Sequence, residues 1–307
     1  MGTPGFAVPA LEQLVLNGYD VVAVYTQPDR VAGRGQALAA SPVKIAALEK
    51  GLPVVQPESL KSALAVEQLA SFRPDVIAVA AFGQILPESV LAIPAHGTLN
   101  IHPSLLPKFR GASPVASAIL HGDEFAGVSV MLLDKGMDTG PVLARAQISI
   151  SPQDTTGSIT EKLAGVGAQL LLEVLPRWVK GELTPQPQDE AQATYTKRFE
   201  KEDGEIDWTL PAVELGRRVR ALNPWPGGYT RWQGKQLKII EAVPLSDEGN
   251  VDIGKVVAPG KGEAAFGVGT GAGVLGILQV QLAGKRAVTA AEFLRGQKDF
   301  AGAVLPS

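Results

Sequence analysis

The chain has 307 residues, 45% of them apolar and 19% charged, with a net charge of −3. That is the composition of an ordinary globular protein and a length that fits two domains, each with ample core. There is no cysteine, which excludes disulfides and thiolate metal sites and fits a reducing cytoplasm. No apolar run approaches the ~20 residues that span a bilayer. The opening Met1-Gly-Thr-Pro-Gly5 is not the basic-then-apolar start of a signal peptide. No membrane association is therefore expected, and a cytoplasmic monomer is. Charge is uneven: residues 1–190 carry 13 Lys+Arg against 18 Asp+Glu, and residues 191–307 carry 15 against 13. A mildly basic second half is compatible with a polyanionic partner or with a solvated mixed surface.

In chain order, Val8–Asn17 reads as a helix stopped by Gly18, and Asp20–Thr26 as a short β-branched strand. Gln27–Ala40 reads as a mobile loop with Gly33 and Gly35. Ser41–Lys50 is a helix ending at Gly51, Val54–Val55 a strand and Ser62–Phe72 a third helix. Val76–Ala81 is an all-apolar buried strand and Thr98–Ile101 another. Ala112–Leu120 is a helix, Gly127–Leu133 a strand and Ser158–Val179 a closing helix. Strands alternating with helices, several apolar throughout, predict a doubly wound, Rossmann-like and mostly parallel α/β sheet. Gly181–Thr196, rich in Pro, Gln and polar residues, reads as a linker. After a helix at Pro211–Leu222 come Lys238–Val243, Lys255–Ala258, Ala264–Gly269 and Gly273–Val280, short runs between Gly/Pro/Asp turns. These predict a small antiparallel, OB-like barrel. The expected division is 1–180, a linker 181–200, and 201–307.

In an open α/β sheet the site lies at the carboxyl ends of strands. Two blocks fall there: Asn100-Ile-His102-Pro-Ser104-Leu-Leu-Pro107, and Asp134-Lys-Gly-Met-Asp138-Thr-Gly140, whose Asp138 follows His102 by 36 residues. An amide, an imidazole and a carboxylate can hold a developing oxyanion, manage protons and orient the ring. Each has a bland alternative when taken singly: a turn Asn, a satisfied His, a capping Asp. His96 and His121 keep such loop or helix-end readings. No metal site is expected. The G-x-G-x-x-G pattern is absent, so a nucleotide cofactor is a poor reading of Gly2-Thr-Pro-Gly5.

These two blocks together resemble the signature of the 10-formyltetrahydrofolate-dependent formyltransferases. Three further segments narrow the resemblance to the methionyl-tRNA formyltransferases: Gly2-Thr-Pro-Gly-Phe6-Ala-Val-Pro9, Thr26–Gly35 through Ser41-Pro-Val-Lys44, and Ala221-Leu-Asn-Pro-Trp225-Pro-Gly-Gly228. The match runs from Gly2 to the C-terminal tail. It implies transfer of a formyl group from 10-formyltetrahydrofolate, a co-substrate with no tightly bound cofactor beside it, to the α-amino group of methionine on the initiator tRNA. Carried over residue by residue, Asn100 would donate to the oxyanion. His102 would act at the proton-transfer step or share in oxyanion stabilisation, and Asp138 would orient the imidazole and help to accept protons. Ser104, Leu105, Leu106 and Pro107 would form one wall of the folate pocket, and Phe82, Gly83, Ile85 and Leu86 the other.

Arg30 and Arg34 put positive charge on the 27–40 loop, suited to an acceptor stem, with Arg34 expected to make the specific contact. Gln36 and Ala37 stand where the family usually has a lysine pair. Lys44, Lys197, Arg198, Arg217 and Arg218 are further tRNA candidates, with Arg220, Arg231, Lys235 and Lys238 beside them and Lys201 nearby. Trp208 and Trp225 are expected to pack rather than to stack bases. The family also has a short apolar strand before the Gly-Thr-Pro turn, where this sequence has only Met1. The expectation is that this sequence starts one strand late and leaves a gap between neighbouring strands. Two alternatives stay open: a small amine acceptor (glycinamide ribonucleotide or an amino-sugar nucleotide), and a tRNA- or folate-binding form without turnover.

Overall fold

The computed structural model describes residues 1–32, 37–245, 251–258 and 263–307. The chain divides into two compact units. The first comprises residues 1–114, 125–149 and 159–197, and the second residues 115–124, 150–158 and 198–307.

The first unit opens with α1 (Val8–Leu16) and β1 (Val24–Tyr25), followed by a hairpin of β2 (Arg30–Ala32) and β3 (Ala37–Ala39). Next come α2 (Pro42–Glu49), β4 (Val54–Val55), α3 (Ala63–Ser71), β5 (Ile77–Val79), α4 (Glu88–Leu91) and β6 (Thr98–His102). The helix starts follow local chemistry. The Ser41 hydroxyl accepts from the Lys44 N–H with Pro42 in the first turn, and Ser62 accepts from Ala65 N–H. Gly51, at φ 67°, closes α2 in a conformation that only glycine adopts without cost. Pairing is parallel for β1–β4 and β5–β6, as expected. It turns antiparallel where β6 meets β8 (Phe125–Leu132) and β8 meets β9 (Val142–Ser149), giving the order β5-β6-β8-β9. In chain order β7 (Arg110–Gly111) and α5 (Pro114–His121), whose residues from 115 on belong to the second unit, come between β6 and β8, and α6 (Thr156–Val179) follows β9. Strand β9 has no counterpart in the sequence reading. It is an edge strand of half-exposed alternating residues, so it lacks the apolar run that marks a buried strand.

The expected mobile loop 27–40 is a hairpin at its described ends, with Val31 paired to Leu38. Both side chains are exposed, so no burial pattern announces it. Its tip, including Arg34, lies outside the described residues. The 181–200 segment carries β10 (Tyr195–Thr196), paired parallel to β7 within the first unit.

Met1 and Gly2 run between β1 and β5. Gly2 N–H donates to Tyr25 O at 3.0 Å, Ala80 N–H to Met1 O at 2.9 Å, and the amino terminus to Ala78 O at 2.6 Å. Beyond these bonds, a cavity of 170 Å³ opens between the two strands, lined by Val22–Tyr25, Val76–Ala80, Ile101 and Leu175. The Tyr25 hydroxyl is buried with no partner among the described residues, and burial pushes its pKa up to about 12. Burial likewise lowers the terminal amine to about 5. Met1 and Gly2 thus lie between the two strands, and the cavity lies beyond them.

The second unit contains α7 (Ala212–Ala221) and a curled antiparallel sheet in the order β11-β12-β15-β14-β13. Its strands are Gly228–Trp232 (β11), Lys235–Leu245 (β12), Val256–Val257 (β13), Phe266–Gly269 (β14) and Val274–Leu282 (β15). β16 (Val288–Thr289) adds to β15 and leads into α8 (Ala290–Gly296), which Thr289 and Glu292 cap reciprocally. Trp232, Phe266, Phe293 and Phe300 centre the core, four of their pairs edge-on with ring centroids 4.9 to 5.8 Å apart and Phe266–Phe293 tilted at 6.5 Å. Trp208 is buried in this core and donates to the Thr230 hydroxyl, as a packing role requires. Trp225 is 53% exposed, so that expectation fails for it: it follows α7 in a proline-flanked turn outside the core.

An N-terminal extension of about six apolar β-branched residues should pair with β1 and β5 and fill the cavity. The expected outcome is a Tm about 2–8 °C higher, the shift that about 1–2 kcal/mol brings to domains of this size. An unchanged melt would mean that the slot does not accept a strand.

Candidate active site

Strand β6 sets the site. Side chains alternate across a strand, so Leu99 and Ile101 share one face, while Asn100 and His102 share the other. Ile101 lies against Gly167 of α6, where even a methyl group would clash with it. The opposite face looks into a cleft of 440 Å³ lined by Ala81–Leu86, Asn100, His102, Pro103, Gly111, Ala112, Leu133–Lys135 and Asp138, within the size range of small-molecule sites. The Asn100 amide has no hydrogen-bond partner among the described residues and stands at the cleft.

His102 and Asp138 are 5% and 15% exposed, with His102 Nδ1 3.6 Å from Asp138 Oδ2. That distance is too long for a hydrogen bond, so the pair acts through charge. What aligns the imidazole is the Phe109 carbonyl, 3.1 Å from Nε2. A carbonyl only accepts, so Nε2 carries the proton and the neutral ring leaves Nδ1 as a base facing Asp138. Asp138, expected to orient the ring, faces Nδ1 at this longer distance. Its carboxylate is instead held by the Gly111 N–H at 2.8 Å. Desolvation pushes the His102 pKa below its usual 6.5, against the opposing pull of the Asp138 charge and the Phe109 bond.

Five described non-glycine residues have a positive φ, and three of them, Ala81 (46°), Phe109 (62°) and Asp138 (53°), surround this site. Such backbone persists only where its surroundings over-determine it. Gly111, at φ 104°, is locked as well: a Cβ there would lie 2.5 Å from the Thr196 carbonyl oxygen.

The 81–86 wall is pinned from outside. Thr3 Oγ1 donates to Phe82 O at 2.8 Å, and Gln84 bridges Leu60 N–H and Pro57 O. Phe82, Gly83, Ile85 and Leu86 all line the cleft. Phe82 also belongs to the core with Tyr25, Leu60 and Val79, whereas Ile85 is 80% exposed. Ser104, Leu105, Leu106 and Pro107, the other expected wall, follow directly on Pro103 at the cleft and make packing contacts of their own. Leu106 packs with Met131 and Val142, Leu105 lies over Gly127, and Ser104 Oγ donates to Lys108 O. They pack on the same face of the sheet as Asn100 and His102, against Gly127, Ser129 and Met131 of β8.

The basic candidates are spread over both units. Arg30 reaches Gln27 Oε1 at 3.1 Å on the hairpin. Lys44 is paired with Asp29 at 2.6 Å, so its charge is spent at the hairpin base. Lys197 and Arg198 are exposed. The Arg217 guanidinium lies over Gly122, and Arg218 is 4.0 Å from Glu214. Among the described residues no group of three or more His, Cys, Asp or Glu could hold a metal, and no helix is long and apolar enough to cross a membrane. Phe109, Gly111, Lys135 and Gln188 escaped the sequence reading. Only the glycine of Phe109-Arg110-Gly111, so soon after the Asn100–Pro107 block, could have signalled a close backbone approach.

The family pattern described as "Formyl transferase" matches residues 1–175, and "Formyl transferase, C-terminal domain" matches residues 198–298. Among curated proteins, the methionyl-tRNA formyltransferase of Roseiflexus sp. (strain RS-1) is 51% identical over 298 residues, covering 96% of this chain and 91% of that protein. That of Dehalococcoides mccartyi (strain ATCC BAA-2266 / KCTC 15142 / 195) is 50% identical over 306 residues, covering 98% and 96%. Among solved structures, the sugar 3N-formyl transferase WlaRD superposes with a TM-score of 0.65 at 20% identity, over 93% of this chain and 97% of that one. The methionyl-tRNA formyltransferase from Clostridium thermocellum superposes with 0.55 at 16% identity, over 80% and 92%. These structural likenesses bear on the fold.

Two measurements check the site. Proton NMR of the three histidine rings should give a midpoint for His102 below about 6.5, and Asp138→Asn should lower it further. A midpoint that rises in that variant would contradict the charge coupling. Because the ring is kept neutral, its contribution to stability is full above the unfolded pKa of about 6.5 and shrinks as pH falls below it. Gly111→Ala, strained and clashing, should abolish turnover; retention of more than about half the parent rate would contradict the close approach.

Proposed function

The chain belongs to the formyl transferase family, and from that premise we propose that it transfers the formyl group of 10-formyltetrahydrofolate to the α-amino group of methionine on initiator methionyl-tRNA. Half the residues are shared with curated enzymes of that name over nearly the whole length of both. The observation that carries the mechanism is one cleft holding a partnerless amide, a neutral imidazole and a carboxylate, at Asn100, His102 and Asp138.

The amine nitrogen attacks the formyl carbon, and the carbonyl electrons move onto oxygen. Asn100 donates its amide N–H to that oxygen, a contribution worth about 3 kcal/mol for one such donor. The nitrogen becomes acidic as its bond forms, and His102 Nδ1 takes the proton while Nε2–H stays on the Phe109 carbonyl. The imidazolium formed beside the Asp138 carboxylate is stabilised by its charge. When the tetrahedral adduct collapses, the C–N10 bond breaks and the proton is returned to N10. The cleft wall at Phe82, Gly83, Ile85 and Leu86 takes the folate ring system. The folate is a co-substrate that comes and goes with each turnover, and no tightly bound cofactor takes part.

The tRNA lies along Arg30, Arg34, Lys197, Arg198, Arg217 and Arg218, as phosphate contacts that position the acceptor end. Lys44 is left out of this set because Asp29 already neutralises it. The protein works as a cytoplasmic monomer in translation initiation.

Formylation of methionyl-initiator tRNA by the purified chain tests the reading. Transfer is expected, falling about 100-fold or more in His102→Ala and about 100- to 1,000-fold in Asn100→Ala. No transfer to the tRNA, with transfer to a small amine instead, would overturn it. A separate expectation concerns salt. Arg217→Ala and Arg198→Ala should weaken tRNA binding and flatten its salt dependence, each by roughly 0.7–0.9 in the log–log slope. An unchanged slope would remove those residues from the interface.

A further inference from the structure

Gln188 lies in the segment that the sequence marks as a linker. Its side chain bridges two strongly polar groups. Gln188 Nε2 is 2.7 Å from the Asp138 carbonyl oxygen and 2.7 Å from that of Gly140. Gln188 Oε1 lies 3.1 Å from Arg110 Nε and 3.0 Å from Nη2. The amide orientation is forced, because a guanidinium can only donate and the two carbonyls can only accept. The Arg110 side chain is fully buried. Its remaining N–H groups go to the Glu190 carboxylate, at 2.7 and 3.0 Å, and to the Tyr195 hydroxyl at 2.9 Å, so all five donors are used. The Glu190 carboxylate raises the Arg110 pKa and is itself lowered by it, so the cation is fixed.

A buried guanidinium is an expensive staple for a surface segment, since well-packed apolar residues often do as well. Its placement explains it. Asp138 holds a left-handed φ of 53° with a side chain, a conformation that needs outside support. Gly111, next to Arg110, holds the Asp138 carboxylate, and Gln188 holds its main chain. We propose that Arg110 and Gln188 are positioning residues: a buried guanidinium–amide relay that fixes the Asp138 loop so that its carboxylate faces His102 Nδ1. This rests on the roles given above to His102 and Asp138.

Two variants separate positioning from mere stapling. Gln188→Glu keeps an acceptor for Arg110 but sets a carboxylate oxygen against two carbonyls. Gln188→Met removes both functions without adding charge. In Gln188→Glu, kcat for formyl transfer to methionyl-initiator tRNA should fall about 10- to 100-fold, with both KM values within about twofold, the pattern of a misplaced catalytic group. In an Asp138→Asn background, measured in single turnovers, the same change should cost less than about twofold. In Gln188→Met, the His102 ring should titrate lower than in the parent, because the carboxylate that holds its pKa up has moved away. An equal loss in both backgrounds, a change in KM alone, unchanged transfer, or an unmoved His102 midpoint would each overturn the proposal. If Asp138→Asn itself transfers at the parent rate, the catalytic assignment of Asp138 fails instead. The His102 titration then still decides whether Gln188 holds that loop.

Discussion

Phe109, Arg110 and Gly111 hold the two halves of the site together. Three consecutive residues send a carbonyl to His102, a guanidinium towards the Asp138 main chain through Gln188, and an N–H to the Asp138 carboxylate. The His102–Asp138 separation of 3.6 Å is too long to hold itself. It is set by bonds that each partner makes to this one run. β10 then fastens the run from the other side, through Thr194, Thr196 and a parallel bridge. The chemistry therefore depends on backbone geometry more than on the pair itself.

The protonation state follows from the same geometry. A carbonyl on Nε2 fixes the tautomer, and burial keeps the ring neutral at ordinary pH. That leaves Nδ1 able to accept a proton only when the neighbouring carboxylate can share the charge. Asn100, two residues earlier on the same strand face, lines the same cleft, where the proposed mechanism uses its amide as the oxyanion donor. In the proposed mechanism one strand thus supplies both a donor and a base, and the Asp138 loop the counter-charge.

Much of this was legible in the chain. Apolar runs marked β5, β6 and β8, since a buried strand shows its burial in composition, and Ser41, Gly51 and Ser62 marked helix ends. The Asn100–Pro107 block was placed at the end of a strand, where β6 puts Asn100 and His102. What escaped was of two kinds. The exposed strands β9, β2 and β3 carry no buried face to betray them. The partners of His102 and Asp138 are main-chain groups of Phe109 and Gly111, and a backbone carbonyl or N–H leaves no mark in a side-chain pattern. Ser104–Pro107 is a different case: apolar residues beside a site read as pocket lining, and here Leu106 packs with Met131 and Val142 on the same face of the sheet as His102.

The most direct test of this account is a double-mutant cycle on His102→Ala and Asp138→Asn, read in single-turnover formyl transfer. If base and counter-charge form one unit, the double variant loses little more than His102→Ala alone, and the coupling approaches the full effect of Asp138→Asn. Losses that multiply would show two independent groups, and would contradict an active site organised by the Phe109–Gly111 run.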